Sequence, residues 1–379
     1  MIRKRHILII DPIEFSGGSK IATETILRQL NTESTIVSVI TKDKASWQWK
    51  HLRTIELFEP EFLSNKEQGL LYFIRHFLLA INIFVARVRF GKIDVTLGAS
   101  GPGVDLSLYL IVPLLRYKII QLVHGPVARS RTIARCLNRA NEVHHLQSTL
   151  PSIDTALTAL FNLTSTSRKK YRVLNNGLEE SQWPSQCQYH TPTLFWSASL
   201  LKWKGLETFI QAVELFSNID RPKTNICYIR PKNTLLPTSN LPSGIYQLHW
   251  YNNPNTIDKI RATSNIFVST SHNEPFGLSI LESLAAGHCV LIPNDGAFWD
   301  KHLTDNIECI KYEQGDIIDL HNKIMDLCLN LDKIRDIGTA GAKKARRYRA
   351  KSMYASLKLS LEGESKPIPN TSVRAETFE

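Results

Sequence analysis

The sequence predicts an α/β chain built as two doubly wound parallel sheets whose loop rims face across a cleft. Short, continuously apolar runs recur along both halves, helix-length amphipathic stretches alternate with them, and a polar, Pro-containing break falls near residues 180–193. Runs this apolar suit strands buried on both faces, and alternation of strand and helix makes the sheet parallel. A length of 379 residues holds two or three domains at ~150 residues each.

In the first half the strand-like runs are Ile7–Ile10, Ile36–Ile40, Ile93–Leu97 and Ile119–Val123, with Arg172–Leu174 weaker. In the second they are Leu194–Ser197, Ile226–Ile229, Ile266–Ser269 and Val290–Ile292. Helical stripes run over Lys20–Leu30, Gly205–Phe216 and Leu278–Ala286, the last stopped by Gly287 as a C-cap. Leu70–Val88 is apolar enough to suggest a membrane, but Arg75, His76, Asn82 and Arg87 argue against a span and for a core helix, with contact at a membrane interface as the lesser alternative. The expected domains are 1–185, 190–345, a helix over 346–362 crossing back to the first domain, and a flexible tail over 363–379.

Forty-six Lys+Arg against 35 Asp+Glu give a formal charge of +11, which favours an anionic partner. Nucleic acid fits the charge, yet no recognition module accompanies it. Six scattered cysteines form no CxxC pair, and no His stands at zinc-ligand spacing, so reduced thiols, no metal and a cytoplasmic chain are expected. No signal peptide is seen before the first strand. Lys343, Arg347 and Lys351 would share one helical face, either solvated or drawn to an anionic membrane surface.

In open parallel sheets, ligands gather beyond the carboxyl ends of strands, where helix N-termini converge. Four segments occupy such positions: Gly17-Gly18, His124-Gly125-Pro126, Ala198 to Gly205 with Lys202 and Lys204, and Thr270 to Gly277. Gly17-Gly18 leaves backbone N–H groups open to an anion, or is a plain tight turn. The segment from Glu274 to Glu282 is more telling. Pro275 suits a first helical turn, which would set the two acids about two turns apart on one side of a helix, within reach of sugar hydroxyls.

Glu274-Pro-Phe-Gly-Leu-Ser-Ile-Leu-Glu282 resembles the EPFG…E signature of retaining glycosyltransferases of the GT-B fold, family four. Gly17-Gly18, His124-Gly125, Asn175-Asn176-Gly177 and Lys204-Gly205-Leu206 sit in the family's order, so the likeness spans about residues 6–360. It implies two Rossmann-like domains and transfer of a sugar from a UDP- or GDP-linked donor to a saccharide or lipid-linked acceptor, with retention. The implied setting is bacterial cell-surface polysaccharide or glycolipid assembly, in the cytoplasm or at the inner face of the membrane. Catalytic roles are implied for His124, Glu274 and Lys204, and donor binding for Gly17, Gly18, Lys202, Phe276, Gly277, Leu278 and Glu282.

The likeness departs at Ser199, where the family has an Arg, so a phosphate-pairing cation is missing; Lys202 or Arg230 could replace it. No D-x-D occurs, so neither metal nor cofactor is expected. Two alternatives stay open: a nucleotide-sugar-binding partner of weak or no activity, and a nucleotide-sugar epimerase or hydrolase.

Overall fold

The computed structural model describes residues 3–364 apart from 15–16, 65, 162–167, 232–233, 235 and 242–243. The first half runs β1 (Arg5–Asp11), α1 (Gly18–Arg28), β2 (Thr35–Thr41), β3 (Leu52–Glu56), α2 (Gly69–Phe90), β4 (Val95–Gly98), α3 (Leu106–Leu115), β5 (Lys118–Val123), α4 (Arg131–Arg139), β6 (Glu142–His145), α5 (Leu150–Phe161) and β7 (Tyr171–Val173). Its strands are all parallel in the order β3-β2-β1-β4-β5-β6-β7.

The second half runs β8 (Thr193–Ser199), α6 (Leu206–Glu214), β9 (Lys223–Ile229), β10 (Leu248–Asn252), α7 (Ile257–Ala262), β11 (Ile266–Val268), α8 (Leu278–Ala285), β12 (Cys289–Asn294), α9 (Phe298–His302), β13 (Ile310–Glu313), α10 (Ile317–Cys328) and α11 (Leu331–Ala345). These strands too are parallel, in the order β10-β9-β8-β11-β12-β13. Strand order therefore reverses between β1 and β4 in one sheet and between β8 and β11 in the other. Loops leaving such neighbours diverge to opposite faces and open a crevice.

The central strands are apolar on both faces because each sheet has helices on both sides. In the first domain Leu8 and Ile10 pack with Leu79 and Ile83 of α2, while Ile7 and Ile9 pack with Ile26 of α1. Two short helices, α12 (Ala350–Met353) and α13 (Ala355–Glu362), complete that second layer. Tyr354, Leu357 and Leu361 lie in the first domain's core although they follow the second domain in sequence. The Tyr354 hydroxyl accepts the Gly177 N–H at 3.0 Å, fixing the return beside the interdomain crossing.

Two expectations need correction, and a third is not tested. Leu70–Val88 is helical, but it is a core helix on one side only: Tyr72, Arg75, His76, Leu79 and Ile83 are buried, whereas Phe73, Phe77 and Val88 are exposed. Arg75 is accommodated inside because Glu59 holds its Nε at 2.5 Å and Lys42 holds the same carboxylate. The stretch 343–351 is not one helical face, since α11 ends at Ala345 and α12 begins at Ala350. Lys344 and Arg349 there are already paired, with Glu308 and Glu180. The expected tail falls, from residue 365 on, outside the described residues.

Candidate active site

A cleft of about 1000 Å³ opens at the two reversal points, and both domains line it. From the first domain come Gly17, Gly18, the loop Ala99–Pro102 after β4, and His124 after β5. From the second come Ser197 to Ser199, Trp203, Lys204, and the run Glu274 to Ser279 with Glu282. The domains meet at its floor. A Cβ on Gly18 would touch Leu278 Cδ1 at 3.8 Å, and the Ser148 hydroxyl donates to the Pro275 carbonyl at 2.9 Å.

Gly17 is the extended N-cap residue of α1, so the first turn of that helix presents its unpaired N–H groups at the cleft. Such an end attracts anions through partial positive charge and free donors. Behind it Lys20 is buried, bridging to Asp11 Oδ2 at 2.8 Å and donating to the Ile13 carbonyl at 2.8 Å; Trp47 Nε1 donates to the same Asp11 oxygen. This lysine holds the helix start in place and is not directed at a ligand.

His124 has both ring nitrogens enclosed and without a hydrogen-bond partner. Burial alone pushes its pKa down to about 4, so the ring is neutral at pH 7, with one donor and one acceptor unused. An unpaired buried polar group costs on the order of 1–3 kcal/mol, which a ligand hydroxyl would recover.

In the second domain two loops lock each other. Gly205 sits at φ +71°, and a Cβ there would fall 2.2 Å from the Thr270 carbonyl oxygen, so only glycine lets the strands' loops approach. The Thr270 hydroxyl donates to the Lys204 carbonyl at 3.0 Å and accepts from Trp196 Nε1 at 3.1 Å. His272 N–H donates to the Trp203 carbonyl at 2.9 Å. Lys204 thereby lies against Glu274, Nζ to Oε2 2.5 Å, with its ammonium 3.9 Å from the Trp203 ring centroid.

The helical stripe read over Leu278–Ala286 is α8, but Pro275 does not stand in its first turn. Gly277, at φ +76°, is the N-cap and α8 begins at Leu278, so Pro275 lies in the preceding loop. Glu274 and Glu282 therefore do not share one helical face. The first is held by the loop clamp and Lys204; the second projects from α8. The Phe276 ring is buried against Phe298, Trp299 and Tyr348, so only its backbone can meet a ligand. Trp299 Nε1 donates to the Gly277 carbonyl at 3.3 Å and steadies the turn.

Glu282 has a partner that the spacing of motifs does not reveal. Arg261, at the end of α7 and 5% exposed, reaches Glu282 Oε2 at 2.6 Å and Asp258 Oδ1 at 3.2 Å. Its sequence signal is no more than an i, i+3 acid–base pair. Lys202 and Arg230 are both exposed and neither lines the cleft. Both expected replacements for the missing arginine thus point elsewhere, because the chain around Lys204 turns Lys202 outward. Among the described lining residues, Lys204 and Arg261 carry the full positive charges, and each faces a carboxylate.

Residues 179–344 match the model of a family described as glycosyl transferases group 1. No curated protein matches the chain by sequence. Among solved structures, Anabaena Alr3699/HepE in complex with UDP and glucose is similar at TM-score 0.71 and 14% identity, over 94% of this chain and 98% of that one. Sucrose-phosphate synthase from Thermosynechococcus elongatus is similar at TM-score 0.72 and 13% identity, over 95% and 99%. A glycosyltransferase from Rickettsia africae gives TM-score 0.66 and 16% identity, over 96% and 100%. At such identities the likeness is one of fold.

Proposed function

We propose that this chain, whose residues 179–344 match the model of a family described as glycosyl transferases group 1 and whose fold is GT-B, transfers a sugar from a nucleoside diphosphate sugar to an acceptor hydroxyl. The observation that carries this reading is the single cleft that brings Gly18 and His124 to Lys204, Glu274 and Glu282. A helix N-terminus and a lysine suit a diphosphate, and two separated carboxylates suit ribose and hexose hydroxyls. UDP is the favoured nucleotide, since Anabaena Alr3699/HepE was solved with UDP-glucose.

In this reading Glu282, aligned by Arg261, binds the ribose hydroxyls. Lys204 exchanges its contact with Glu274 for the donor phosphates, joined by the Gly18 amide. Glu274, released from that pair, orients the hexose with the Gly277 and Leu278 backbone. Neutral His124 exchanges hydrogen bonds with a sugar hydroxyl. The bond from the anomeric carbon to phosphate oxygen breaks as the acceptor oxygen bonds to the same face, and the acceptor proton passes to the departing phosphate. Configuration is retained, and no metal is assigned to the step. Bacterial cell-surface polysaccharide or glycolipid assembly by a cytoplasmic, peripheral enzyme is the setting we assign.

A melting-shift panel of nucleoside diphosphates and their sugars, followed by donor hydrolysis and product analysis, tests the proposal. UDP should raise the melting temperature, and the matching UDP-sugar should be consumed with release of UDP. Indifference to every nucleoside diphosphate would sink it. A second reading is favoured by Ser199, which lines the cleft where a cation is absent: binding without turnover. A melting shift with no UDP release would select that one.

A further inference from the structure

α2 is apolar on both sides, and the two buried polar side chains it carries, Arg75 and His76, lie on the inner one. Leu70, Phe73, Phe77, Ile81, Phe84 and Val88 are each 42–75% exposed, and at 100° per residue they fall within about 60° of one line along the helix. Arg75 and His76, which a water-facing helix would show to solvent, are buried beneath. Phe58 and Phe62, from the segment before α2, and Leu114 of the neighbouring α3 widen the apolar surface; each is more than 65% exposed. A contiguous exposed apolar face of this kind marks an interaction site.

The charges around it choose the occupant. No Asp or Glu occurs from Gly69 to Phe90. Arg53 and Arg89 both lie over the Phe90 ring, at 4.6 and 5.2 Å to its centroid, and exposed Lys92 follows. Glu61 and Glu67 stand at the other end, beside Lys66, and the whole chain is +11. Phenylalanine-rich apolar side chains with a cationic flank fit the interface of an anionic bilayer, where the rings enter the acyl boundary and the cations meet head groups. The helix is long and apolar enough to cross a membrane, yet its other face is part of the first domain's core, so it lies flat.

We propose that α2 docks the first domain on an anionic lipid bilayer, with Phe73, Phe77 and Phe84 inserted. The proposal stands apart from the sugar-transfer reading, because lipid binding requires no donor.

The test is sedimentation of the full chain with vesicles of phosphatidylglycerol and phosphatidylcholine, and with phosphatidylcholine alone. Wild type should pellet with the anionic vesicles and remain in the supernatant with the neutral ones. The triple variant Phe73→Ser, Phe77→Ser, Phe84→Ser should bind at least tenfold more weakly while keeping its circular dichroism, its melting temperature and any UDP-induced melting shift. Arg89→Glu with Lys92→Glu should weaken binding and flatten its salt dependence. Wild type left in the supernatant overturns the proposal, as does a triple variant that pellets like wild type. A soluble dimer that the triple variant makes monomeric, without vesicle binding, assigns the face to a second copy and equally overturns it.

Discussion

Lys204 Nζ and Glu274 Oε2 stand 2.5 Å apart across the junction of two loops, each side chain only 13–15% exposed. In this state the lysine is neutralised by the acid that would steady the hexose. Binding of a diphosphate must therefore replace one charge pair with another, leaving the carboxylate free for hydroxyls. Lys204→Ala should lower kcat by about 10²–10³, the range found when a group opposing transition-state charge is removed. Either single truncation leaves a largely buried charge unpaired, so Lys204→Met with Glu274→Gln should melt closer to wild type than Lys204→Met alone. Turnover and thermal melts check both; full activity in Lys204→Ala would refute the assignment.

Arg261 is the positioning residue for Glu282. Replacing it by Gln removes the 2.6 Å contact and frees the carboxylate to swing. The expected result is about tenfold weaker UDP binding, ~1.4 kcal/mol, read by calorimetry. An equal loss of affinity for UDP and for inorganic pyrophosphate would instead place Arg261 on the phosphates.

Gly205→Ala should be far more damaging than an ordinary loop substitution. Its Cβ would lie 2.2 Å from the Thr270 carbonyl oxygen, at a φ that other residues rarely adopt. We expect a loss of ~2 kcal/mol or more, with a drop in turnover because Lys204 and Glu274 sit on the two parted loops. A melt unchanged within a degree would contradict the clamp.

Asp105 gives the chain an unusual pH response. Burial pushes its carboxyl up to about 7, despite hydrogen bonds from Gln121 Nε2 and the Gly101 N–H. The unfolded chain loses this proton near pH 3.9. The folded state thus binds the proton more tightly, and the stability it contributes is full below pH ~4 and lost as pH rises to about 7. The loss is on the order of 4 kcal/mol. Burial also pushes His124 down to about 4 and His288 to about 3. That contribution runs the other way, present above pH ~6.5 and lost as pH falls. Asp105→Asn isolates the first effect. Its stability relative to wild type should climb between pH 4 and 7 and then level, as followed by urea unfolding. A constant difference would exclude the carboxyl.

The central strands were legible because burial on both faces writes an unbroken apolar run, as in Ile7–Ile10 and Val290–Ile292. The outer strands were mostly not, β7 giving only the weak run Arg172–Leu174. β3 is half exposed, and β6 is written Glu142-Val143-His144-His145, with imidazoles buried among backbone and carboxylate partners. Burial holds both imidazoles below their usual pKa. The order of the site segments followed from the rule that loops leave the carboxyl ends of strands. Which cations reach the cleft did not follow, because that depends on the direction a short turn gives to Lys202 and on a contact between α7 and α8, 21 residues apart. Which side of α2 faces outward was hidden for a related reason, although contact of this stretch with a membrane interface was open from its composition. Periodicity shows that a helix has two sides, and Arg75 and His76 suggest the wet one; only Glu59, brought in by another segment, makes their side the inner one.

The chain passes between its two halves twice, once after Gly177 and again where Tyr354 settles against that same turn. Two adjacent tethers permit rotation about the line that joins them and resist sliding or twisting apart. Any opening of the crevice would then be least restrained as a swing about a line beside Asn176, with the widest travel at the lips farthest from it.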